Sequence, residues 1–185
     1  REEDREFLSN RYDCKELEYI SKNRSKEVIG SEVYYGAQWN KAALHLHPLK
    51  YALGLAKAAL DAGVTIFENS RVQSYSGTPM IVKTGQGQVT ASELILACNG
   101  YIEDLEPKIN GYIMPINNFV LATEPLSPEI LASVVPKDTS MGDSRFVVNY
   151  WKLSGDNRLI FGGGENYRRG FPSDIKGFVQ KYMLQ

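Results

Sequence analysis

Apolar and polar positions alternate along this chain with changing periods, and one stretch is clearer than the rest. Apolar side chains recur at Leu49, Leu53, Ala56 and Leu60, and Ala52 and Ala59 widen the stripe. That spacing predicts an amphipathic helix. Pro48 stands where a first helical turn has no use for an N–H, and Gly63 stands just past the stripe, where a left-handed stop favours glycine. The β-branched and aromatic run Val64-Thr-Ile-Phe67 then predicts a short buried strand.

Weaker patterns surround this unit. Phe7 and Leu8 lie one turn before Tyr12, and Cys14, Leu17, Tyr19 and Ile20 follow among charged residues, which predicts a helical first segment before the polar connector Ser21–Lys26. Ser31–Asn40 reads as a short strand entering a loop. Arg71–Tyr75, Pro79–Thr84 and Gln88–Ala91 predict a meander, with turns at Ser76-Gly-Thr-Pro79 and Thr84-Gly-Gln-Gly87. Glu93–Gly100 reads as an apolar strand ending in a turn of small residues. Beyond Pro107, Tyr112–Glu124 reads as a long strand bent or edged by Pro115, and Glu129–Val135 as a short helix. Arg145–Trp151 and Arg158–Gly162 flank a hairpin turn at Ser154-Gly-Asp-Asn157, and Ile175–Leu184 predicts a last amphipathic helix. The fold class expected is α+β, or mixed α/β. The divisions expected are a helical segment and strand over 1–44, a helix-strand-meander unit over 45–106 and an antiparallel sheet over 107–185. The first residue is not methionine and the last pattern stops unfinished, which predicts an internal portion of a longer chain.

Composition narrows the function classes. Hydrophobic residues make up 43% of 185 and the net charge is -1, so a core is within reach and no basic stripe invites nucleic acid. No apolar run approaches the roughly 20 residues of a membrane span. Cys14 and Cys98 lie far apart and read as reduced thiols of a cytoplasmic protein.

Few residues carry an evident chemistry. His45 and His47 are the only histidines; no third ligand at metal spacing follows them, so no metal is expected, and His47 reads as a cap before Pro48. Gly85-Gln-Gly87 and Gly162-Gly-Gly164 do not complete G-x-G-x-x-G, and no such turn occurs elsewhere in these residues. No nucleophile elbow or serine–histidine pair stands out, so the catalytic residue stays unassigned. Tyr150 and Trp151 adjoin on a strand and must face opposite ways, one into the core and one toward solvent or a pocket. Tyr34, Tyr35 and Trp39 carry the same ambiguity.

Four stretches in order carry a family likeness: His45–Val72, Leu94–Tyr101, Met114–Leu126 and Arg158–Gly164. Together they resemble the FAD-dependent D-amino-acid-oxidase superfamily, and within it the amine oxidases of the gamma-glutamylputrescine type. The resemblance implies an FAD-binding domain joined to an antiparallel substrate domain. It implies oxidation of an amine at a C–N bond, with a small-molecule amine as substrate. The resemblance implies that Val72 pairs through its backbone with the FAD adenine. It likewise implies that Ala97, Cys98, Asn99 and Gly100 form the turn approaching the dinucleotide, and that Tyr150 lines the amine pocket. Leu44 stands where relatives carry glycine. Ile160 stands where sarcosine oxidases carry a lysine beside the flavin, which implies weak sarcosine-type oxygen reactivity. The alternatives are oxidation of glycine, sarcosine or a D-amino acid, for which Arg168 and Arg169 are candidate carboxylate binders although a solvated pair is the favoured reading of them, or a binding module without redox chemistry. Without a glycine-rich phosphate turn these residues alone are expected to hold FAD weakly and to be inactive, and their exposed faces to permit association.

Overall fold

The computed structural model describes residues 2–167 and 170–184. In chain order the elements are α1 (Glu2–Tyr12), β1 (Leu17–Ser21), β2 (Gly36–Asn40), α2 (Pro48–Asp61), β3 (Val72–Ser76), β4 (Met80–Thr84) and β5 (Gln88–Ala91). They continue with α3 (Pro107–Asn110), β6 (Asn117–Ala122), α4 (Pro128–Val134), β7 (Met141–Gly142), β8 (Tyr150–Leu153), β9 (Leu159–Asn166) and α5 (Ile175–Met183). Short 3-10 turns cover Lys22–Glu27, Asn99–Tyr101 and Glu103–Leu105. The chain divides into two compact units, one joining 1–47 with 117–185 and the other spanning 48–116.

The first unit is built on an antiparallel sheet of order β6-β9-β8-β7, with the β1-β2 hairpin as a separate pair. Alternation decides its faces. Phe119, Trp151 and Phe161 point to one face and are buried there. Trp151 stacks on Phe161 with ring centroids 6.2 Å apart and on Tyr34 at 5.8 Å. Val179 of α5 is fully buried in the same core, with Ile20 of β1 and the flanking Val28 and Ile29. The Asp174 carboxylate caps α5 by accepting the Gly177 N–H at 2.8 Å. The hairpin turn forms as its sequence demands: the Asn157 N–H donates to the Ser154 carbonyl, and Asn157 takes the left-handed conformation at φ 64.

The second unit holds α2 and the meander, in the order β3-β4-β5. The start and stop of α2 follow the sequence. Pro48 is its first residue, and Gly63 at φ 88 closes its end. The Val64 N–H reaches the Ala59 carbonyl at 3.0 Å and the Gly63 N–H the Leu60 carbonyl at 2.9 Å, the paired bonds of a Schellman stop. Yet no residue of α2 is buried, and Ile102 is the one buried hydrophobic side chain of this unit among the described residues.

Several expected elements take another form. The helical first segment ends at Tyr12, and Leu17–Ser21 is the strand β1 instead, because it finds a ladder partner in β2. Val64–Phe67 is not a strand, and Phe67 is 67% exposed. Glu93–Cys98 is not a strand either, and Ile95 is 87% exposed. A strand exists only as part of a ladder, and neither segment meets a neighbouring strand among the described residues. The long strand expected from Tyr112 begins only at Asn117, beyond Pro115, and the one expected from Arg145 begins at Tyr150. Gly162-Gly-Gly164 lies within β9 rather than in a loop.

Candidate functional site

Tyr150 opens β8 and faces away from the buried Trp151, so the ambiguity between the two aromatics resolves in favour of Trp151 as the core residue. Its ring does not stand free. Tyr150 is directly paired with Gly162 on β9, and a Cβ on Gly162 would overlap the ring and hydroxyl of Tyr150. The ring therefore lies across the central strand and reaches β6. There its hydroxyl donates to Asn118 Oδ1 at 2.5 Å. Partial burial pushes the Tyr150 phenol above its ordinary range. Val120, 56% exposed, and Ile160 line the rest of this face, beside Lys152. The Lys152 ammonium donates to the Leu46 carbonyl. Neither Asn118 nor the use of Gly162 was legible as a site feature, because both depend on strand pairing between segments far apart in sequence.

A cavity of about 710 Å³ lies on the Trp151 side of this unit, with walls of Tyr34, Trp39, Trp151, Asp143 and Arg145. Tyr150 is not among its walls. The Asp143 carboxylate is spent locally: Oδ1 accepts the N–H groups of Arg145 and Asn149, and Oδ2 lies 3.3 Å from Arg145 Nε. Oδ2 makes no hydrogen bond of good geometry and is held by the Arg145 charge.

In the second unit, Val72 opens β3 and pairs with Thr84. β3 is an edge strand, so one side of its backbone has no ladder partner among the described residues. Ala97 and Cys98 lead into the 3-10 turn Asn99–Tyr101, with Asn99 at φ 52. Only the Tyr101 N–H is closed within that turn, onto the Cys98 carbonyl at 3.0 Å. The Asn99 and Gly100 N–H groups have no acceptor inside it. A Cβ on Gly100 would meet nothing closer than Pro115 at 4.0 Å, so the turn is open there. The segment just after the turn is held against β3 by an Arg71–Glu103 ion pair and a hydrogen bond from the Tyr75 hydroxyl to the Glu106 carboxylate. That bond, with the Lys108 N–H, holds the Glu106 carboxyl below its usual range and raises the Tyr75 phenol.

These features suit a dinucleotide. Unspent amides, small side chains and an exposed backbone edge offer donors and acceptors without bulk. They supply no cationic phosphate cradle. Arg168 and Arg169, the expected alternative carboxylate pair, lie outside the described residues. No group of metal-ligating side chains gathers among the described residues, and no helix there is long and apolar enough to cross a membrane.

Comparison with known proteins covers nearly the whole chain. Residues 1–184 match the family described as FAD dependent oxidoreductase, DAO. A probable oxidoreductase OrdL of Rhizobium meliloti (strain 1021) is 35% identical over 97% of this chain and 42% of its own length. The gamma-glutamylputrescine oxidoreductase of Escherichia coli (strain K12) is 36% identical over 95% of this chain and 42% of its own. The chain thus spans about two fifths of the length of these relatives. Glycine oxidase from Geobacillus kaustophilus shares the fold, with a TM-score of 0.72 at 15% identity, over 97% of this chain and 49% of that one. With the family match running over residues 1–184, the chain belongs to the DAO family of FAD-dependent oxidoreductases.

Proposed function

We propose that this chain carries the amine-facing sheet and part of the FAD-contacting surface of an oxidoreductase that oxidises an amine C–N bond to an imine, which water then hydrolyses. The substrate class is an amine of the gamma-glutamylputrescine kind. The observation that carries the reading is Tyr150, fixed over Gly162 on an open sheet face, in a chain 36% identical to a gamma-glutamylputrescine oxidoreductase.

FAD, when bound, supplies the two-electron acceptor. The chain's own residues bind and orient. Val72 offers its backbone to the adenine, and the Asn99 and Gly100 amides face the dinucleotide beside Ala97 and Cys98. Tyr150 positions the amine, and Val120 and Ile160 give its alkyl chain an apolar floor that displaces water. With no G-x-G-x-x-G turn, these residues alone hold FAD weakly and turn over nothing measurable. Both thiols are free, in keeping with action in the cytoplasm.

Two measurements test the reading. Purified protein is titrated with FAD and followed by flavin fluorescence. The protein extended to the full length of its relatives is screened against amines and amino acids for bleaching of the flavin band. Weak or no flavin binding by the 185 residues is expected. Bleaching by amines is expected in the longer protein. Stoichiometric flavin on the short chain, or bleaching by D-amino acids alone, overturns it.

A further inference from the structure

The setting of Tyr150 dictates what its hydroxyl can do. A phenol has one proton to donate and lone pairs to accept with. Here the proton is committed, since the hydroxyl donates to Asn118 Oδ1 at 2.5 Å. What remains for a ligand is an acceptor. An incoming N–H fits it; an incoming carboxylate meets only lone pairs.

The arrangement is built by the sheet rather than by chance contact of two surface side chains. Gly162 leaves the room that lets the ring cross β9. Asn118 is paired with Glu165, and Val120 with Gly162, so β9 carries an extra residue between these pairs. That bulge takes its bend at Gly164, whose φ of 75 suits glycine. Bulges re-aim side chains, and this one sets the register of Asn118 against the ring. The charged neighbours on the same face are engaged elsewhere: Lys152 with the Leu46 carbonyl, and Glu165 with the Tyr167 hydroxyl at 2.6 Å.

We propose that Asn118 is a positioning residue that fixes the Tyr150 hydroxyl as a hydrogen-bond acceptor, so that this sheet face selects an amine N–H over a carboxylate. The inference rests on the amine-oxidising reading above for its ligand, but the hydroxyl's polarity stands on geometry alone.

The test separates the two. Tyrosinate absorbance is titrated in the protein, and the Tyr150 signal is isolated by subtracting Tyr150→Phe. An acceptor bonded to the neutral phenol holds its proton on. Asn118→Ala therefore moves the Tyr150 midpoint toward the ordinary tyrosine value. Asn118→Asp, which can only accept, keeps it high or raises it further. A rise with Asn118→Ala overturns the assignment, because it means the asparagine was donating through its amide NH2; so does no change.

The second arm uses the full-length holoenzyme. Asn118→Ala raises KM for the amine about tenfold with little change in kcat, the scale of one hydrogen bond, and Asn118→Asp restores it. If the titration behaves as expected but KM for amines does not move, the amine selection is overturned while the hydroxyl assignment stands.

Discussion

The helices α5 and α2 both carry apolar stripes and meet opposite fates. α5 lays Val179 on the sheet of its own unit, where it is fully buried beside Phe119 and Phe161. α2 keeps Leu49 at 62%, Leu53 at 61% and Leu60 at 53% exposure, with no residue buried. A stripe records which face of a helix seeks cover; it does not record whether that cover lies within the same stretch of chain. The same distinction separates β9, hydrogen-bonded on both sides, from Val64–Phe67 and Glu93–Cys98, which have strand composition and no ladder.

Core truncation offers the sharpest way to break the contrast. Phe161→Ala removes a ring stacked on Trp151 in the buried face and is expected to cost about 3–5 kcal/mol. Leu53→Ala on α2 is expected to cost under about 1 kcal/mol. The comparison is read from urea unfolding midpoints of the two variants. Similar losses would mean that α2 is covered in solution and that the two units do not differ in this way.

Gly162 gives the next largest effect. Gly162→Ala places a methyl group in the Tyr150 ring and is expected to cost about 1–3 kcal/mol by overpacking. Combined with Tyr150→Ala, most of that cost should vanish, because the obstacle is the ring. Equal losses in the single and double variants would show that the glycine serves the backbone instead.

These cases also show what a sequence can carry. The boundaries of α2 were legible because Pro48, the stripe and Gly63 act within a few residues of one another. The Tyr150–Trp151 alternation was legible for the same reason, up to which side was the core. Val64–Phe67 was misread because strand formation needs a partner that composition does not report. Asn118 was invisible because its role depends on a bulge in β9 and on a ring from β8. The run Gly162–Gly164 reads in sequence only as an incomplete dinucleotide pattern. Its glycines instead admit a ring and turn a bulge, and only the pairing reveals that.

Helix capping separates the units more gently. Asp174→Ala removes the acceptor for the Gly177 N–H and is expected to lower the stability of the sheet unit by about 1 kcal/mol. Amide exchange should quicken at Gly177 and Phe178 in that variant while the meander is unaffected. Faster exchange across β3–β5 as well would show that the two units unfold together.

The smallest expected effect lies in the second unit, at the bond between Tyr75 and Glu106. The Glu106 carboxyl sits below its unfolded value, chiefly because the Tyr75 hydroxyl donates to it. A lowered carboxyl contributes stability above its unfolded pKa, and that contribution is lost as pH falls through the folded one. The Tyr75 phenol is raised by the same bond, so its contribution is present below the ordinary tyrosine value and lost as pH rises through the folded one. The contact tying β3 to the segment after the 97–101 turn thus has a window, open at neutral pH and closed at both extremes. Both groups are half-buried and still reached by solvent, so the gain is slight and screened. Protection of the Tyr75 and Glu106 amides, taken relative to intrinsic exchange at each pH and followed from acid to alkaline, should be greatest in the middle of that window. A flat profile, or one unchanged by Tyr75→Phe, would remove this tie and leave β3 and the turn joined only through the Arg71–Glu103 pair.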